Sequence, residues 1–127
     1  MRMIFMSDER VRLLEEKVEH LEFKLDLMFH DSNINRILFE YDITKRQYNE
    51  IMNLMDEIRD QINHNKKVSN SEYESRIYEI TGNEGDYHLA EYIAKALWED
   101  GRWDEVFPAL YGNFPKYKHI ISEKDGN

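Results

Sequence analysis

The 127-residue chain has no cysteine, two prolines, five glycines and no long apolar run. Without cysteine it has no disulfide, no thiolate nucleophile and no thiolate metal ligand. That absence suits a reducing cytosol, so a cytoplasmic location is expected. No stretch approaches the roughly 20 apolar residues of a membrane span. The opening Met1-Arg2-Met3-Ile4-Phe5-Met6 is too short for a signal-peptide core, and Met1, Met3 and Met6 are each candidate starts. The glycines are scattered at 82, 85, 101, 112 and 126, so no glycine-rich loop can cradle a phosphate. Basic residues are in deficit, 17 against 26 acidic ones, for a net charge of −9. Such a surface repels phosphate and disfavours nucleic acid and anionic membranes as partners.

Catalytic and metal-binding patterns are missing too. The histidines at 20, 30, 64, 88 and 119 form no pair at i, i+3 or i, i+4 and no His-Glu-x-x-His motif. Asp86 and His88 are two apart and do not share a helical face. Asn83-Glu84-Gly85-Asp86 faintly suggests a calcium loop but lacks the regular ligand spacing and the closing acid. No nucleophile elbow or acid/base pair on a familiar frame is present. A non-enzymatic protein without cofactor or metal is therefore expected.

What is there is helical patterning. Hydrophobic residues make up 41% and charged residues 34%, which places the chain among soluble globular proteins. The strongest pattern lies between Arg10 and Met28. Val11, Leu14, Val18, Leu21, Leu25 and Met28 alternate spacings of three and four, with valine or leucine at a and leucine or methionine at d of a heptad. Arg10, Lys17 and Lys24 occupy g; Glu15, Glu22 and Phe29 occupy e. In a parallel pair each g residue faces the following e residue of the partner, so Arg10 meets Glu15 and Lys17 meets Glu22. An antiparallel pair would set like charges together. The seam therefore predicts a parallel homodimer, with a higher oligomer as the variant. Three heptads are short for a free coiled coil. The competing reading makes this stretch the long helix of an intramolecular bundle. Phe23, Leu27 and Phe29 widen the apolar face, so the second half is expected to pack on its own chain as well.

Further along, Ser7 is a candidate N-cap for the first helix, which runs to about His30. Asp31-Ser32-Asn33 is a turn, and a short helix from about Ser32 to Glu40 carries Ile34, Ile37, Leu38 and Tyr41. Ile43-Thr44-Lys45-Arg46-Gln47-Tyr48 combines a capping box with a hydrophobic staple, opening a helix with Ile51, Leu54, Met55, Ile58 and Ile62 on one face. Ser69 and Glu72 repeat that start, with Tyr73, Ile77, Tyr78 and Ile80 facing inward. Gly82 suits a left-handed helix end. Asp86 is expected to cap the next helix, with Leu89, Tyr92, Ile93, Ala96 and Leu97 inside and Gly101 as its stop. Trp103, Val106, Phe107 and Leu110 predict a last short helix that Pro108 bends or shortens. Residues 113–118 read as extended chain laid over the bundle. The resulting expectation is an all-α protein: an N-terminal coiled-coil helix over residues 1–31, a small helical bundle over 32–120, and a disordered polar tail over 121–127.

The most distinctive local stretch is Ala96-Leu97-Trp98-Glu99-Asp100-Gly101-Arg102-Trp103. It is similar to one half of a tetratricopeptide unit, but no 34-residue repeat accompanies it. Trp98 and Trp103 can simply pack the hairpin. Read functionally, Trp98, Arg102 and Trp103 form an aromatic and cationic patch for a protein partner.

Together with the leading heptad helix, two stretches carry a family resemblance: Tyr41-Asp42-Ile43-Thr44-Lys45-Arg46-Gln47-Tyr48 and Ala96 to Trp103. Over residues 8–112 the order of elements resembles the YhaI-like group of small all-helical bacterial proteins. The resemblance implies an all-α fold and self-association, and no activity. The functional expectation is a cytosolic, self-associating regulator or adaptor that presents paired surfaces to a protein target. The alternatives are a DNA-associated helix-turn-helix regulator near 69–101, drawing on Lys66, Lys67 and Arg76, and a phage or mobile-element protein that blocks a host enzyme.

Overall fold

The computed structural model describes residues 2–83, 86 and 88–125, with side chains described between Asp8 and Lys124. Within them lie seven helices: α1 (Arg2–Phe29), α2 (Asn33–Glu40), α3 (Lys45–Asn63), α4 (Asn70–Thr81), α5 (Leu89–Glu99), α6 (Val106–Tyr111) and α7 (Pro115–Asp125). The fold is all-helical, as the patterning predicts. Glu84 and Gly85, which belong to the stretch that faintly suggests a calcium loop, lie outside the described residues, as do Met1, Tyr87, Gly126 and Asn127.

The helix that organises the core is α5. Leu89, Ala90, Ile93, Ala94, Ala96, Leu97 and Trp98 are all buried, so it is apolar nearly all round. It packs against α2, α4 and α6, while α3 closes against α4 and α6. Ile51, Leu54, Met55 and Ile58 of α3 and Tyr73 and Ile77 of α4 complete the centre. The Tyr73 hydroxyl donates to the Ala90 carbonyl at 2.7 Å, which lets a buried tyrosine sit between α4 and α5.

Local chemistry sets the helix ends. Thr44 and Gln47 form the expected capping box: the Gln47 N–H donates to Thr44 Oγ1 at 3.1 Å and the Thr44 N–H to Gln47 Oε1 at 2.9 Å. Ser69 Oγ accepts from the Glu72 N–H, and Gly82 ends α4 at φ 73°. Helices α2, α3 and α5 all stop in the Schellman pattern, with Asp42, Asn65 and Gly101 in the left-handed position. In the first of these the Ile43 N–H donates to the Leu38 carbonyl at 2.9 Å, and both side chains are buried, so the turn brings its own apolar contact.

Four expectations are corrected. Helix α1 begins at Arg2, so Ser7 lies inside it instead of capping it. His88, not Asp86, stands at the start of α5, although Asp86 Oδ1 still accepts from the His88 N–H at 3.1 Å. Pro108 falls in the first turn of α6, where its missing N–H has no partner to lose, so no bend is required. The extended run over 113–118 is helical from Pro115, and α7 carries on to Asp125 through most of the expected tail. Pro115 opens that helix with a φ already set for it. Tyr117 and Ile121, one turn apart, are both buried, and the Tyr117 ring lies 5.0 Å from that of Phe107 in α6.

Candidate functional site

The base of α1 is tied to the rest of the chain along one edge. Leu27 is buried and Phe23 half-buried, with the Phe23 ring 6.0 Å from that of Tyr48 in α3. Lys24 Nζ donates to Asp42 Oδ1 at 2.6 Å, and His20 Nε2 lies 2.8 Å from the same oxygen. Hydrogen bonds from Lys24 and His20 hold the Asp42 carboxyl below its usual range. Lys24 also stands 5.1 Å over the Phe39 ring of α2. His20, Phe23, Lys24 and Leu27 thus form one face at i, i+3, i+4 and i+7.

The heptad seam lies elsewhere on the same helix. At 100° per residue its mean direction is about 140° around the axis from that anchoring face. Its members are exposed: Val11 51%, Leu14 59%, Val18 50%, Leu21 59%, Leu25 64% and Met28 62%. Every residue from Asp8 to Glu19 is exposed, about 18 Å of helix, and of these Glu16 and Glu19 border a cleft against Thr44, Lys45 and Arg46. Phe29, expected to pack on its own chain, is 86% exposed. Among the described residues the ion pairs along the free part are local, Arg12 with Glu9 and with Glu16. An isolated helix of this length is marginal in water. A contiguous apolar stripe on it is a feature that monomeric proteins rarely leave open.

The tryptophan stretch has a structural use. Trp98 is buried, 5.3 Å from the Phe107 ring and covered by Lys124 of α7, whose ammonium sits 4.2 Å over the indole and donates to the Trp98 carbonyl. It offers no open ring to a partner. Asp100 reaches back to the start of α2, where Oδ1 accepts from the Asn33 N–H at 3.1 Å and Oδ2 from the Ile34 N–H at 2.9 Å. A carboxylate there complements the helix dipole and satisfies donors that α2 cannot. Gly101 at φ 75° turns the chain, and Arg102 then donates to the Tyr48 hydroxyl at 3.0 Å. Trp103 is half-buried between the guanidinium groups of Arg59 and Arg102, and its indole N–H donates to Asp56 Oδ1 at 3.0 Å. Trp103 adopts φ 49°, an uncommon conformation for a bulky residue, and these contacts hold it there. The stretch clamps α2, α3 and α5 together. Asp100→Ala should lower stability by about 1–2 kcal/mol through loss of the α2 cap. Thermal melting would show it, and an unchanged midpoint would count against the clamp.

Comparison with protein-family models, curated proteins and solved structures finds no match for this chain. The likeness to the YhaI-like group thus rests on the heptad helix and the stretches 41–48 and 96–103 alone.

One cluster escaped the sequence reading. Glu91 is the one buried charged residue among the described positions. Lys116 Nζ and the Tyr117 hydroxyl of α7 each approach Oε1 at 2.7 Å, and His88 Nδ1 lies 3.3 Å from Oε2. Burial pushes the Glu91 carboxyl up, but Lys116, Tyr117 and His88 together outweigh it and hold it below its usual range. The available signal was its register: Glu91 shares a helical face with Ala94 and Trp98, both core residues. Among the described residues no three His, Asp or Glu side chains converge as a metal site requires, and no helix is long and apolar enough to cross a membrane. A groove of about 410 Å³ between α3 and α4 is floored by Leu54, Ile58 and Leu110, and the Arg76–Glu57 ion pair at 3.1 Å lies along it.

Proposed function

We propose that α1 is an assembly helix that joins two copies of this chain in a parallel coiled coil. The protein then acts without catalysis, as a regulator or adaptor that presents two copies of its helical domain to a protein target. The observation that carries this reading is the seam. Six a and d side chains are at least half exposed, on the far side of the helix from the face that grips the domain. This weakens the intramolecular-bundle alternative, which needs those side chains covered by their own chain. A second α1 would bury them as knobs in holes and stabilise a helix that is marginal alone. The charges on its edges favour the parallel arrangement, each exposed pair contributing about 0.2–1 kcal/mol. Joining two weakly binding domains raises their combined affinity for a target with two sites, without any new contact.

A DNA-binding reading is less well supported. Arg76, part of the small basic group it needs, is paired with Glu57, and the net charge of −9 opposes a phosphate backbone.

Light scattering should give twice the 15.4 kDa chain mass. The absence of native cysteine makes a direct test of direction available. Val11→Cys should form an intermolecular disulfide under mild oxidation, because a parallel coil places the two a positions in one layer. In an antiparallel coil Val11 would face Met28, leaving the two thiols about 25 Å apart and far outside disulfide reach. A monomer by light scattering would sink the proposal, and a dimer that fails to cross-link would sink its parallel form.

A further inference from the structure

A parallel coil turns the e edge of each helix toward the g edge of the other. In α1 the g edge borders the helix's own domain, because Lys24 reaches Asp42 and stands over Phe39 of α2. The e edge, ending in Phe29, faces away from that domain. The two-fold relation therefore carries the Phe29 of one copy toward the domain of the other. We infer that, in the dimer, Phe29 of each copy is seated on Lys24 and Phe39 of the other copy, where coil meets domain. This inference rests on the parallel-dimer reading and adds a contact that the heptad seam does not contain.

The break in the charge pattern supports it. Arg10 and Lys17 each have a glutamate at the facing e position, but Lys24 has Phe29. Lys24 differs from the other two because its charge is already used, 2.6 Å from Asp42. A third glutamate would compete with Asp42 for it. An aromatic ring instead covers the alkyl stem of Lys24 and the open side of Phe39, which is 38% exposed. The ammonium then has a ring of each copy beside it, an arrangement favoured by the ring quadrupoles. It also gives a use to the most exposed large apolar side chain among the described residues. The contact ties each domain to the opposite helix and so fixes the two domains relative to one another.

Sedimentation equilibrium on the whole chain tests this. Phe29→Ala should raise the dimer dissociation constant about ten-fold or more, and Phe39→Ala should also raise it. Combined, the two should cost less than the product of the separate effects, since each removes part of one contact. Phe29→Glu, which restores the e-position carboxylate, should weaken the dimer too. Wild-type affinity in Phe29→Ala, strictly multiplicative effects, or a Phe29→Glu dimer as tight as wild type would each overturn the contact while leaving the coil intact. A wild-type chain that is monomeric throughout would remove the coil itself. Because Phe29 is exposed in the single chain, Phe29→Ala should melt like its parent when both carry Leu14→Asp, which separates loss of contact from loss of fold.

Discussion

Leu14→Asp is expected to yield a monomer that still melts as a folded domain. Leu14 occupies a d position, where a parallel coil packs the two copies of one residue side by side. A single substitution therefore places two carboxylates against each other in a dehydrated layer. Each buried, unpaired charge costs several kcal/mol, so the dissociation constant should rise at least about 1,000-fold. Leu21→Asp should act alike. Neither change should disturb the helical body, because both leucines are 59% exposed in the single chain and touch none of its core. Part of the helical signal should be lost, and the loss should fall before His20, the first described residue of α1 with a hydrogen bond outside its own helix. Sedimentation velocity reads the assembly, circular dichroism the helicity, and amide exchange its location. A variant that remains dimeric contradicts the seam. A variant that loses all helicity shows that α1 belongs to the core of its own domain.

The expectation that the second half of α1 packs on its own chain, which holds for Phe23 and Leu27 and fails for Phe29, was readable because two periodicities overlap in the helix. The strict 3-4 spacing ends in Leu25 and Met28, while Phe23 and Leu27 fall off that seam and are the apolar residues that reach the domain. The starts of α3 and α4 were equally legible. Thr44 and Gln47, like Ser69 and Glu72, form bonds between near neighbours, which tertiary packing does not need to complete. What the sequence hid depends on distant partners. Asp100 stands out in no local pattern, and its role as the cap of α2 requires a contact across 67 positions. Trp98 and Trp103 read equally as hairpin packing or as a partner surface, because Lys124 and Arg59, which lie over their rings, are far off in the chain. Helix α7 was missed for the same reason. Its polar residues resemble a solvated tail, and its inner face amounts to little more than Tyr117 and Ile121. Groups waiting on α5 and α6, above all Glu91 and Phe107, make that face sufficient.

That dependence makes Glu91→Ala the substitution with the largest expected effect on the helical body. Removing the carboxylate strands Lys116 and leaves the Tyr117 hydroxyl without its acceptor at a buried site. Burial and the bond to Glu91 hold that hydroxyl far above its ordinary range, so it is a donor throughout the accessible pH range. Lys116 is half exposed and regains water, which lowers the cost below that of a fully buried pair. A loss of about 3 kcal/mol is expected, enough to lower the melting midpoint by roughly 10 °C. Glu91→Gln should lose less, because the amide oxygen can still accept from Tyr117. The pH dependence separates charge from packing. The folded-state carboxyl of Glu91 lies below its unfolded value, so its stabilisation is fully present above the unfolded value near 4.5 and is lost as the pH falls through the folded one. The difference in midpoint between wild type and Glu91→Gln should therefore be widest near pH 7 and close as acid is added. In the alanine variant α7 should detach first, uncovering the Trp98 indole, so tryptophan emission should shift to the red before the main transition. A gap that stays constant from pH 7 to pH 3 would mean that Glu91 holds α7 by shape and hydrogen bonding alone, and that its charge contributes nothing.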